Sequence, residues 1–262
     1  MTFAITHLSR VDRSSAVGTA YGHHYLLLPP AGGGLATLRA SADAACGREV
    51  WGVEYPGRGV RSTDPPFRAV TEVADQIMRE LTDRFTKRVL GRLVLVGLSM
   101  GAFVAFEVAC RLPMASGTAP AALVVIGATA PHRRDPAKYA ATDDETLGRL
   151  LESDGLVAGF RSAPEAWAYA LDLLRTDLLA TIRYRAPAGT RAPCPLAALC
   201  GADDPSVTSV ADATEAWRTW TTGPFTTLVV SGGHLGLLSG DRSAEFWSLV
   251  EQAERKVMGA AR

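Results

Sequence analysis

Apolar and polar positions along the chain fall into two alternating rhythms. Short apolar or β-branched runs recur at Tyr25–Leu28, Val50–Glu54, Leu93–Val96, Leu123–Ile126, Leu196–Cys200 and Thr226–Val230. Runs of this length and uniformity predict strands buried on both faces. Between them the spacing becomes helical: Val73, Ile77, Leu81 and Phe85 recur along Val70–Lys87, and Phe246–Met258 predicts a closing helix. Strands alternating with helices imply a mostly parallel sheet covered by helices, the α/β class. The rhythm breaks over 131–184, where Asp144–Leu151 and Trp167–Leu179 have helical patterns and no strand stands out. This stretch is expected to be a helical lid inserted over the site. Its leucines, Trp167, Tyr169 and Phe160 suit an apolar acyl pocket, and equally the insertion's own small core. Residues 1–20 read as an N-terminal tail, and 1–262 as a single domain.

One strand runs into Gly97-Leu-Ser-Met-Gly101, a G-x-S-x-G segment followed by Ala102–Leu112, which has good helix formers and no breaker until Pro113. Strand, tight turn and helix are the context in which this pattern presents a nucleophilic serine: two residues without side chains let the backbone make a strained turn, and the hydroxyl projects from the sheet edge. Ser99 is therefore the expected nucleophile.

A serine hydroxyl is almost wholly protonated at neutral pH, so it needs a general base and a group that orients the base. Of the five histidines, His7, His23, His24, His132 and His234, only the last fits well: His7 falls in the expected tail, and His23 and His24 precede the first core strand. His234 sits in Ser231-Gly-Gly-His-Leu-Gly236, directly after the last strand-like run, where flexible glycines let a loop reach the elbow. The orienting acid should end the preceding strand. Gly201-Ala-Asp-Asp-Pro205 offers Asp203 and Asp204 there, and Asp204 is favoured because Asp203 is better placed to face solvent or cap the turn.

The negative oxygen formed on attack needs backbone donors. Met100, immediately after the nucleophile, supplies one amide; the loop Pro29-Pro-Ala-Gly-Gly-Gly34 supplies the other, with Ala31 first choice because Pro29 and Pro30 have no N–H. Loss of one such donor costs about 2.7–4 kcal/mol of transition-state stabilisation. A phosphate-cradling reading of these glycines fails, since neither G-K-S/T nor G-x-G-x-x-G is present in strand-to-helix context.

Composition narrows the rest. Lys+Arg and Asp+Glu are each 27, a formal net charge of zero, which argues against nucleic acid as the main partner. Cys46, Cys110, Cys194 and Cys200 are scattered without zinc spacing, as expected of reduced thiols in a cytoplasmic protein. No stretch approaches the roughly 20 apolar residues of a membrane helix, and the first residues have no signal-peptide pattern. No metal or bound cofactor is expected, and a monomer is the simplest oligomeric state.

Several segments together resemble the type II, external thioesterases that accompany polyketide synthases and nonribosomal peptide synthetases. Leu28-Pro-Pro-Ala-Gly-Gly33 is similar to that family's F-P-x-A-G-G, and Glu54-Tyr-Pro-Gly-Arg58 to its Q-Y-P-G-R. Gly97-Leu-Ser-Met-Gly101, Pro131-His-Arg133, Leu174-Arg-Thr-Asp177 and Gly232-Gly-His-Leu235 complete the match, from about Leu26 onward. The resemblance implies an α/β-hydrolase fold with a helical lid, a triad of Ser99, Asp204 and His234, and oxyanion amides of Ala31 and Met100. It also implies hydrolysis of aberrant or stalled acyl groups from the phosphopantetheine of acyl or peptidyl carrier protein domains. Product release or general ester hydrolysis is the nearest alternative, and a silent carrier-binding subunit is one of another class. Arg58 and Arg61 are read either as solvated surface or as a means of steering an acidic carrier or phosphate. One departure stands out: the family's usual histidine before the nucleophile is Leu98 here.

Overall fold

A computed structural model describes residues 4–8, 22–134, 143–153, 162–238 and 240–259. Its centre is a seven-stranded sheet made of β1 (Ile5–His7), β2 (His24–Leu28), β3 (Glu49–Val53), β4 (Leu93–Leu98), β5 (Ala122–Ile126), β6 (Leu196–Gly201) and β7 (Phe225–Val230), in the order β1-β3-β2-β4-β5-β6-β7. All pairings are parallel except β1 with β3. Every residue of β4, β5 and β6 is buried, which explains why these strands read as unbroken apolar runs rather than alternating ones.

Helices cover both faces. α1 (Leu35–Asp43) and α8 (Ser243–Gly259) pack together on one side. On the other, α2 (Val70–Arg84) packs against α4 (Met100–Ser116). The chain leaves β2 toward α1 and β4 toward α4, so the loops after these adjacent strands diverge onto opposite faces. A crevice opens at such a switch point, and in open parallel sheets ligands bind there, beyond the carboxyl ends of the strands. Between β5 and β6 lie α5 (Asp144–Ser153) and α6 (Pro164–Arg183); between β6 and β7 lies α7 (Val210–Glu215).

The structure departs from the expected pattern in three places. Within the expected tail, Ile5–His7 forms an edge strand, registered Ile5 to Val53 and His7 to Trp51. Three residues are too few to show a period. The helix expected over Val70–Lys87 stops at Arg84: Phe85 turns extended and lies edge-on to Trp51 at 5.3 Å, and Thr86 caps a separate turn, α3 (Lys87–Leu90), by accepting from the Val89 amide. The helix after the elbow, by contrast, continues through Pro113. Proline removes one amide from the last turn, and Gly117, at φ 73°, closes the helix by donating to the Pro113 carbonyl at 2.8 Å.

Candidate active site

Ser99 sits between β4 and α4 with φ 50° and ψ −113°, the one non-glycine residue at positive φ among the described residues. Such a conformation costs on the order of 1–3 kcal/mol and persists where the surroundings impose it. They do so here through closeness. A Cβ on Gly97 would lie 2.4 Å from the Gly101 carbonyl oxygen, and one on Gly101 would lie 2.2 Å from that of Leu28. The two glycines therefore let the start of α4 press against the ends of β4 and β2. Met100 is the first residue of α4, so its amide belongs to the turn that has no intrahelical acceptor.

The loop after β7 brings His234 to this serine, with Nε2 2.9 Å from Ser99 Oγ. On its other side Nδ1 is 2.8 Å from Asp204 Oδ2 and 3.0 Å from Ser206 Oγ. The carboxylate at Nδ1 selects the tautomer with its proton on Nδ1, leaving Nε2 to accept from the serine hydroxyl. Gly127, at φ 62°, lies beneath the ring, and a Cβ there would meet the His234 carbonyl at 3.0 Å and the imidazole at 3.4 Å. Between the two aspartates the structure is unambiguous about place: Asp203 is exposed, whereas the Asp204 side chain is fully buried against the histidine. Burial alone would raise the Asp204 carboxyl. The hydrogen bond and charge of His234, with hydrogen bonds from Ser206, outweigh it and hold the group below its ordinary value. The Ser206 amide donates to Oδ1 at 2.7 Å, and the Cys200 thiol approaches Oδ2 at 3.6 Å. Burial pushes that thiol up to about 12, so it remains a neutral donor.

Ala31 lies in a tight turn after β2. The Gly33 amide donates to the Pro30 carbonyl at 3.0 Å and Gly32 has φ 73°, the signature of a type II turn with Ala31 and Gly32 at its centre. Buried Tyr55 donates its hydroxyl to the Pro29 carbonyl at 3.0 Å, and burial, the leading influence, raises its phenol well above the ordinary value. Arg58 and Arg61 correct the expectation of a solvated or carrier-steering pair. Both are buried, Arg58 in a two-pronged pair with Asp177 at 2.6 and 2.8 Å, and Arg61 against Asp64, Gln76 and the Glu54 carbonyl. Neither guanidinium is presented to a partner's surface. Glu54 occupies the place of the family's glutamine and accepts from the Leu35 amide at the start of α1, with burial raising its carboxyl.

Leu98 is wholly buried at the end of β4 in a core with Val96, Ile126, Leu235 and Leu237. The place of the family's histidine is thus taken by an apolar core residue. Of the aromatic residues considered for an acyl pocket, Trp167 packs on α5, where a Cβ on Gly148 would lie 2.7 Å from its ring. Tyr169, 47% exposed, donates to the Gly57 carbonyl, and Phe160 lies outside the described residues. His132 accepts from the Trp220 indole at 2.8 Å, and His7 pairs with Glu49. Ser206, Tyr55 and the Arg58–Asp177 pair escaped the sequence reading of the site. Proximity of Ser206 to Asp204 in the chain was a usable signal for the first; the others meet only through the fold. Among the described residues no three His, Cys, Asp or Glu side chains gather to hold a metal, and no helix is long and apolar enough to cross a membrane.

The profile of the thioesterase domain family matches residues 24–254. Over 211 residues the chain is 36% identical to the probable cadicidin biosynthesis thioesterase of Streptomyces griseus, covering 80% of this chain and 56% of that protein. It therefore spans little more than half the length of that relative. Over 214 residues it is 33% identical to thioesterase PikA5 of Streptomyces venezuelae, covering 80% and 74% of the two chains. Among solved structures, the type II thioesterase BorB from the borrelidin biosynthetic cluster superposes with a TM-score of 0.77 at 33% identity, covering 96% of this chain and 97% of the other.

Proposed function

Because the chain belongs to the thioesterase domain family, we propose that it hydrolyses acyl thioesters held on the phosphopantetheine arm of carrier proteins, clearing aberrant or stalled units from polyketide or nonribosomal peptide assembly lines. The observation that carries this reading is the contact of Ser99 Oγ with His234 Nε2 at 2.9 Å, made from a strained backbone and backed by buried Asp204. The similarity to type II thioesterases supports the substrate class. Such substrates place the enzyme in the cytoplasm and make acyl or peptidyl carrier domains its partners.

Ser99 attacks the thioester carbonyl while His234 takes its proton. The oxyanion is received by the amides of Met100 and Ala31, and Asp204 stabilises the imidazolium. Collapse expels the pantetheine thiol, protonated by His234. Water, activated by the same base, then attacks the acyl-serine and frees the acid. No step calls for a metal or cofactor.

The test is release of free acid from acetyl-, propionyl- and longer acyl-pantetheinyl carrier proteins. Wild type is expected to hydrolyse several, as editing requires, and Ser99→Ala to release none while still binding acyl-carrier protein. Equal hydrolysis by folded Ser99→Ala would sink the nucleophile, and no release by wild type from any carrier would sink the function.

A further inference from the structure

The loop that carries Ala31 is held one peptide at a time. A planar peptide fixes its N–H opposite its C=O, so whatever holds the carbonyl also aims the amide. The Pro29–Pro30 peptide is held through its carbonyl by the Tyr55 hydroxyl, and the Pro30–Ala31 peptide by the Gly33 amide. The Ala31–Gly32 peptide is held through its N–H, which donates to Asp177 Oδ2 at 2.8 Å. The Gly33–Gly34 peptide is held through its carbonyl, which accepts from Arg58 Nη1 at 2.9 Å. The last two partners are joined to each other by their own two-pronged ion pair.

Asp177 does not come from the sheet. It is on α6, in the insertion, and its side chain is 0% exposed. The insertion also closes the space over Gly32, where a Cβ would meet Leu151 of α5 at 3.3 Å and Leu174 of α6 at 3.4 Å. A central peptide of a type II turn has a competing orientation: reversing the Ala31–Gly32 peptide converts the turn toward type I. The Gly32–Asp177 bond opposes that reversal, and the guanidinium fixes the carboxylate that makes it. The Ala31 N–H lies one peptide earlier, opposite the Pro30 carbonyl; Asp177 on the Gly32 amide and Arg58 on the Gly33 carbonyl together hold in place the Gly33 amide that fixes that carbonyl. Arg58 is well suited to this, since Asp177 outweighs the effect of burial and raises its pKa above the ordinary arginine value, keeping the cation permanent.

We propose that Asp177, fixed by Arg58, is a positioning residue for catalysis: it sets the turn that aims the Ala31 amide at the oxyanion, so the helical insertion is part of the catalytic geometry as well as a cover. This rests on the acyl-serine reading above.

The experiment compares Asp177→Asn with wild type by acyl-carrier hydrolysis and by inhibition with an alkylboronic acid. Ser99 Oγ adds to boron, His234 takes the proton, and a boron-bound oxygen occupies the oxyanion position. The variant is expected to lose about 10- to 100-fold in kcat, less than outright removal of a donor, and to bind the boronate weaker by the same factor. KM should stay within about twofold. Tyr184→Phe removes the hydrogen bond between Tyr184 and Glu107 at 2.7 Å, which anchors the insertion to α4 rather than to the turn. It should lower Tm while leaving kcat and boronate affinity within about twofold of wild type. Should Asp177→Asn not fold, because it leaves a buried cation unpaired, Arg58→Lys decides on the same readouts, keeping the charge but losing the fork. With wild-type turnover present and lost in Ser99→Ala, unchanged kcat and boronate affinity in a folded variant overturn this inference alone. So does a loss confined to KM, or an equal loss in Tyr184→Phe.

Discussion

Asp204 and Asp177 both bury their carboxylates completely, and each accepts a backbone amide at 2.7 or 2.8 Å, one beside the histidine and the other beside the loop after β2. Their charge partners differ. Asp204 faces an imidazole, which in the proposed mechanism becomes a cation as it takes the Ser99 proton; Asp177 faces a guanidinium that is charged at every step. The first carboxylate answers a charge that comes and goes, so its value lies in the transition state. The second has no changing charge to answer and can only fix a shape. On the proposed mechanism, one centre thus uses the same side chain for electrostatics on one flank and for geometry on the other.

The largest effect that breaks the comparison is on the Asp204 side. Asp204→Asn keeps the volume but no longer dictates the Nδ1–H tautomer, and by the precedent of serine proteases kcat should fall about 10⁴-fold with the fold intact. Stability adds a signed test. Burial opposes the charge, but His234 and Ser206 hold the folded carboxyl below its ordinary value. The resulting stabilisation is present above the unfolded aspartate pKa of about 3.9 and is lost as pH falls through the depressed folded value. Denaturant titrations should therefore show a wild-type advantage over Asp204→Asn that, once the imidazole is protonated, shrinks as pH falls below about 4. An advantage still growing below about pH 4 would contradict the assignment.

What the chain announced in advance follows the same division. Ser99, Asp204 and His234 lie in short segments whose glycines, strand context and order are local, so their positions were legible. The structure resolves Asp204 over Asp203 by burying one and exposing the other. The shape-holding flank is built from contacts between distant segments: Arg58 and Asp177 are 119 residues apart, and although both lie in segments that carry the family resemblance, neither segment alone shows that they pair. Arg58 in particular looked solvent-facing because arginine is seldom fully buried without a partner. The same limit hid β1, whose pairing with β3 is its only sign, and the end of α2, where Phe85 continues the helical stripe but turns away to meet Trp51. Leu98 is now also placed: it is wholly buried in the core on one face of the sheet.

A smaller effect sharpens the geometric flank. Tyr55→Phe deletes the hydroxyl that holds the Pro29 carbonyl and leaves that buried oxygen without its donor, at a cost of about 1–3 kcal/mol. Thermal denaturation should show the loss. Tyr55 holds the peptide before the one that carries the Ala31 N–H, where the Pro30 ring already fixes φ, so kcat should fall less than in Asp177→Asn. An equal or larger fall would assign the control of the turn to Tyr55 instead.

Ser206→Ala is the smallest change and bears on the electrostatic flank. The Ser206 hydroxyl shares the Nδ1 side of His234 at 3.0 Å, but the amide that holds Asp204 is backbone and survives the substitution. If Asp204 alone orients the imidazole, removing the hydroxyl costs one neutral hydrogen bond, about 0.5–1.5 kcal/mol, and kcat should fall no more than about tenfold. If the hydroxyl carries an equal share of the orientation, the loss should approach that of Asp204→Asn. The double variant separates these cases: once Asp204 has been replaced, removal of Ser206 should add little, because two groups that act on one imidazole form a unit and their effects do not sum.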